Sequence, residues 1–110
     1  MLRRLINTRP VPPIVLLTDF GTEDQFVGTM KGVIASRCPD ARVVDLSHGV
    51  RPQQVKQAAF LLWSAYRYFP AGTIFVAVVD PGVGTQRRIL LLKGGTWWFL
   101  APDNGLTDLV

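Results

Sequence analysis

TIFVAVVDPGVGTQRR, residues 73–88, opens as the most strongly apolar run of the chain and closes on two arginines. Its first part, Thr73–Val79, carries no charge and is dominated by β-branched and aromatic side chains, which reads as a strand. Asp80 follows at once, and Pro81, Gly82 and Gly84 make the next stretch too turn-rich for a helix. A phosphate cradle, a tight structural turn and a catalytic acid–arginine pair all share this outline. The phosphate reading is the weakest: no Gly-Lys-Ser/Thr follows, a strand rather than a helix comes next, and a carboxylate stands beside the loop.

Working outward, Ile14–Thr18 (IVLLT) is a continuous apolar run that suits a strand buried on both faces. Asp24–Arg37 places Phe26, Val27, Met30, Val33 and Ile34 at helical spacing, with Thr22 or Asp24 as the cap and Cys38–Pro39–Asp40 as the stop. Gly28 and Gly32 lie one turn apart in that helix, and close packing on a sheet would account for both. Arg42–Leu46 reads as a second strand. A second helix, with Pro52 in its first turn, carries Val55, Ala58, Ala59, Leu62, Tyr66 and Phe69 on one stripe. Beyond the glycine loop, Arg88–Lys93 and Thr96–Ala101 flank Gly94–Gly95 as a tight hairpin, and Trp97 and Trp98 should face opposite sides of it.

The β-α-β-α-β order predicts an α/β fold: a parallel sheet with right-handed crossovers, helices on its faces in three layers, and a β-hairpin. Ligands of such sheets bind beyond the carboxyl ends of the strands. Asp19 and Asp80 stand there, directly after the first and third strands, while Asp24 opens the first helix and His48 lies in the loop after the second strand. Each has a structural explanation: Asp19 and Asp24 as turn or cap residues, Arg87 as partner of a surface acid, His48 as a loop-ordering residue. Their coincidence at one sheet edge favours a site for a cation or for hydroxyl donors, since crowded unpaired carboxylates repel one another.

The chain has 110 residues, 48% apolar and 18% charged, which bounds it to one domain with a feasible core. The net charge of +4 is spread without a stripe, which argues against nucleic acid as a partner. Cys38, the single cysteine, excludes an internal disulfide and any cysteine-based metal site. No apolar run approaches the roughly 20 residues of a membrane span. Residues 1–13 read as an extended lead-in, and the chain as a cytoplasmic, soluble one.

LTDFGTED (17–24), VVDLSH (43–48), FPAGTIFVAVVDPGVGTQRR (69–88) and APDNGL (101–106) together resemble the S-adenosylmethionine hydroxide adenosyltransferases, relatives of the fluorinases and chlorinases. The resemblance runs from Ile14 to the last residue and implies that 14–110 is part of an N-terminal S-adenosylmethionine-binding domain. It also implies hydrolysis of S-adenosylmethionine to adenosine and methionine by water or hydroxide at the ribose C5′, with no metal and no cofactor. Asp80 and Arg87 match the family's catalytic aspartate and arginine, Asp19 the carboxylate on the ribose diol, and Asp24 the one near the methionine ammonium. Halogenase relatives carry an aromatic residue where Asp80 stands, so water is the expected nucleophile. The family's catalytic histidine lies downstream of these motifs. His48 belongs to a different motif. Family members are homotrimers in which a C-terminal β domain of one subunit completes the neighbour's site, so these 110 residues alone are expected to be inactive. A non-catalytic binding or assembly module is the alternative.

Overall fold

The computed structural model describes residues 11–81 and 87–110. Five strands and two helices follow the order β1 (Ile14–Thr18), α1 (Phe26–Arg37), β2 (Val43–Ser47), α2 (Val55–Ala65), β3 (Ile74–Val78), β4 (Ile89–Gly94) and β5 (Trp97–Pro102), with a short 3₁₀ turn at Tyr66–Tyr68 after α2. The strands form one sheet in the order β2-β1-β3-β5-β4, parallel throughout except for β4, which runs antiparallel to β5 at the edge. The expected α/β class therefore holds, as a mostly parallel mixed sheet. The first crossover moves outward from β1 and the second moves back across it. Right-handed connections in opposite directions place α1 and α2 on opposite faces.

Several boundaries shift. β2 is displaced by one residue from Arg42–Leu46, and α2 starts at Val55, leaving Pro52 in the preceding turn. The hairpin turns at Gly95–Thr96 rather than Gly94–Gly95, because Gly94 pairs with Trp97. Gly95 takes φ 61° at the first turn position, where two-residue hairpins demand a positive φ. Of the lead-in, residues 1–10 lie outside the described residues. Pro13 is buried and its carbonyl accepts the Ile74 N–H at 3.0 Å.

The core lies between the sheet and α2. Val15 and Leu17 of β1, Phe75 and Ala77 of β3, and Phe99 and Ala101 of β5 share the face against Ala58, Leu62 and Tyr66. The stripe expected on α2 is thus the one it buries. Phe75 and Phe99 stack with centroids 5.3 Å apart, and Phe69 and Tyr66 meet them edge-on, geometry that aromatic quadrupoles favour. Trp97 is half-buried and donates its indole N–H to the Phe69 carbonyl at 3.0 Å, whereas Trp98 faces out beneath Lys93, so the two tryptophans do divide between the faces.

The opposite layer is thinner. α1 contains no buried residue: Val27, Met30 and Ile34 are half-covered, while Phe26 and Val33 are exposed. A Cβ added at Gly28 or Gly32 would meet nothing within 4 Å, so close packing does not explain these glycines. Gly32 sits mid-helix in ordinary helical space, and an alanine there saves the backbone entropy that glycine loses. Gly32→Ala should raise the unfolding free energy by up to about 1 kcal/mol, read as a higher urea midpoint. An unchanged or lower midpoint would show that the methyl meets something.

Candidate active site

The parallel strands β2, β1, β3 and β5 all end at one edge of the sheet, so the segments after them converge. Asp19 follows β1 directly, His48 follows β2, Asp80 follows β3 after one intervening residue, and Asp103 follows β5. β1 and β3 pair in register from Ile14 with Ile74 to Thr18 with Val78, which sets Asp19 and the Val79–Asp80 step on adjacent strands at the same level.

Asp80 and Arg87 meet across the glycine-rich loop: Arg87 Nε lies 3.0 Å from Asp80 Oδ1. Gly82 and Gly84, the turn-forming glycines of that loop, lie outside the described residues. The Asp80 side chain is 12% exposed and that of Arg87 31%, against 38% and 79% for the neighbouring Asp103–Arg88 pair. Water competes less for the sheltered pair, so its geometry is the better held of the two. Arg87 Nη1 also donates to the Asp103 carbonyl at 3.1 Å, which ties the guanidinium to the end of β5.

The APDNG turn supplies the rest of this scaffold. Asp103 Oδ2 accepts from Arg88 Nη2 at 2.7 Å, and the Asp103 N–H donates to the Arg88 carbonyl at 2.9 Å. The Asn104 amide donates to the Val79 carbonyl at 2.9 Å, and its oxygen accepts the Leu106 N–H at 3.1 Å. Asn104 therefore fastens the turn after β5 to the residue just before Asp80. Residue type alone marks Asp-Asn-Gly as a turn; that the turn braces the acid–arginine pair depends on β5 lying beside β3.

Asp19 is the third component. Its Oδ2 accepts the backbone N–H of Gln53 at 2.7 Å. Gln53 adopts φ 64°, the only positive φ at a non-glycine among the described residues, so its amide is aimed at Asp19 from a costly backbone conformation. Asp24 Oδ1 accepts the Phe26 N–H at 3.1 Å at the start of α1, although the boundary residue itself is Gln25, which makes no side-chain cap. The expectation of crowded, unpaired acids is thus corrected: Asp19, Asp24 and Asp80 each have a partner in the chain. What gathers at the edge is a set of oriented carboxylates.

His48 is not beside the acid–arginine pair. It is buried between Thr18 and Asp45, which fits the loop-ordering role read for it. The Lys31 ammonium, 2.7 Å away, holds the Asp45 carboxyl below its ordinary range, with the His48 bond adding to the effect and burial opposing it. Among the described residues no three His, Cys, Asp or Glu side chains are placed to hold a metal ion, and no helix is long and apolar enough to cross a membrane.

Residues 14–110 match the family model described as the SAM hydroxide adenosyltransferase N-terminal domain, where SAM is S-adenosylmethionine. The (R)-S-adenosyl-L-methionine hydrolase of Thermus thermophilus is 47% identical over 97 residues, covering 88% of this chain and 38% of the relative. The hydrolase of the same name from Salinispora tropica is 45% identical, and a fluorinase from Actinoplanes sp. is 30% identical over 90% of the chain. A crystal structure of a conserved hypothetical protein from Thermus thermophilus superposes with a TM-score of 0.83 at 45% identity, covering 90% of this chain and 41% of that one. The chain thus spans about two fifths of the length of these relatives.

Proposed function

This chain belongs to the SAM hydroxide adenosyltransferase family, and from that premise we propose that the protein carrying it hydrolyses SAM to adenosine and L-methionine. Water attacks the ribose C5′, the C5′–S bond breaks, and its electron pair returns to sulfur, giving neutral methionine thioether. The sulfonium is already a good leaving group, so the protein needs no general acid. Its task is to place a weak nucleophile in line and accept its proton.

The observation that carries this reading is the Asp80–Arg87 pair at the carboxyl ends of the strands, with Nε and Oδ1 3.0 Å apart. We assign Asp80 to orient the water and take up its proton, and Arg87 to hold Asp80 in place and stabilise the hydroxide as it forms. Asp19, oriented by the Gln53 amide, would receive the ribose diol through its carboxylate. Asp24, exposed at the start of α1, would face the methionine ammonium. A homotrimer whose neighbouring subunit completes the adenine pocket belongs to the same reading. A carboxylate at position 80 repels halide, which disfavours the chemistry named for the fluorinase relatives.

The test is incubation of the purified protein with SAM, with products separated by chromatography. Adenosine and methionine should appear in equal amounts, and high chloride should yield no chlorinated nucleoside. A main product of 5′-chloro-5′-deoxyadenosine would replace the nucleophile, and SAM bound but unconverted would favour a binding module. In the same assay Asp19→Ala should raise KM about tenfold or more by removing charge-assisted bonds to the diol. An unchanged KM would withdraw the ribose assignment.

A further inference from the structure

We propose that His48 is a positioning residue for Asp19, acting through the hydroxyl of Thr18. The proposal rests on the reading of Asp19 as the diol-binding carboxylate and adds to it a device that sets the carboxylate's place.

Thr18 is the last residue of β1 and immediately precedes Asp19. It is the one hydroxyl in the run IVLLT, and it is fully buried at 0% exposure. His48 Nε2 lies 2.8 Å from Asp45 Oδ1, and a carboxylate can only accept, so Nε2 carries the ring proton in that bond. In the neutral ring Nδ1 is then an acceptor. The Thr18 hydroxyl, 2.7 Å away, donates to it. With its proton committed, Thr18 Oγ1 turns a lone pair to the Phe20 N–H at 3.2 Å. The His48 carbonyl meanwhile accepts the Gly21 N–H at 2.8 Å, at a glycine with φ 72°.

Asp19 is therefore bracketed. The residue before it and the two after it are each held by His48 or by the hydroxyl His48 orients. Asp45 is itself anchored through its second oxygen to Lys31 of α1, so the chain of bonds runs Lys31–Asp45–His48–Thr18. Its His48–Thr18 portion links the loop after β2 to the end of β1, and the same loop supplies the Gln53 amide to Asp19.

The ring's two nitrogens can be tested separately. The amide of asparagine reaches the Nδ1 position and can accept from Thr18. That of glutamine reaches the Nε2 position, keeping Asp45 but leaving Thr18 without its acceptor. SAM hydrolysis by the purified full-length protein should show KM raised about tenfold in His48→Gln and in the near-isosteric Thr18→Val, with kcat within about threefold. His48→Asn and Thr18→Ser should restore most of the KM. A merely structural histidine would lower the active fraction, and so apparent kcat, with KM unmoved. KM within about twofold of the parent in both His48→Gln and Thr18→Val, or equal KM in the Asn and Gln variants, would overturn the proposal. If either histidine variant fails to fold, the Thr18→Val and Thr18→Ser pair decides by the same criterion. Asp19→Ala separates the two levels. A raised KM there with no effect at His48 or Thr18 removes the positioning role alone, whereas no effect at Asp19 removes the diol reading beneath it.

Discussion

Asp80→Asn should lower the kcat of SAM hydrolysis by about 10²–10⁴-fold, the range of a positioned acid–base group. KM should stay within about threefold, because the interaction removed belongs to the transition state. The amide keeps the size and an oxygen for Arg87, whose Nε stands 3.0 Å from Asp80 Oδ1, so the guanidinium need not move. What disappears is the negative charge and the capacity to take a proton from water. The Asn104 bond to the Val79 carbonyl still holds the backbone ahead of position 80, which confines the change to the side chain. Steady-state kinetics on the parent and variant decide the matter. A variant with full kcat would remove Asp80 from the chemistry, and a loss confined to KM would make it a binding residue.

Phe75→Ala should cost about 3–5 kcal/mol of unfolding free energy, the loss of a large buried ring plus the cavity it leaves. Phe75 is 1% exposed and sits in the middle of the sheet, opposite Val15 on one side and Phe99 on the other. Its ring stacks on Phe99 and meets Phe69 edge-on, both at 5.3 Å. No single neighbour can fill the gap, because each is fixed by the same cluster. Phe60→Ala is the control: its ring is 57% exposed on α2 and touches Trp63 at the surface, so its loss should stay within about 0.5 kcal/mol. Urea denaturation of both variants checks the contrast. Equal costs would mean that the exposed face of α2 is covered in the folded protein.

Strand and helix order was legible because it is written in local periodicity. IVLLT and TIFVAVV admit little but strands, and the stripe from Val55 to Phe69 is the face that α2 and its 3₁₀ extension bury. Boundaries were less so: Pro52 suits a first helical turn by type, yet Gln53 at φ 64° cannot continue a helix, and α2 waits until Val55. The stripe on α1 shows the limit of the same reasoning. Periodicity reveals which residues can share a face, but whether anything lies against that face is not a property of the helix.

For the site, the sequence by itself determined which chemical groups stand at the carboxyl ends of the strands: Asp19 after β1, His48 after β2, Asp80 after β3. Parallel topology was enough to bring them to one edge. Only the tertiary structure decided what each one touches. Arg87 could have met any surface acid; it meets Asp80, because β5 lies parallel beside β3 and its Asp103 carbonyl catches the guanidinium from the other side. Asp19 is oriented by the backbone amide of Gln53, and Asp80 is braced through the backbone carbonyl of Val79. Every residue but proline offers such an amide, and every residue such a carbonyl, so neither contact leaves a mark in residue type. The groups were specified along the chain, and their orientation by hydrogen bonds between segments that only the folded sheet makes neighbours.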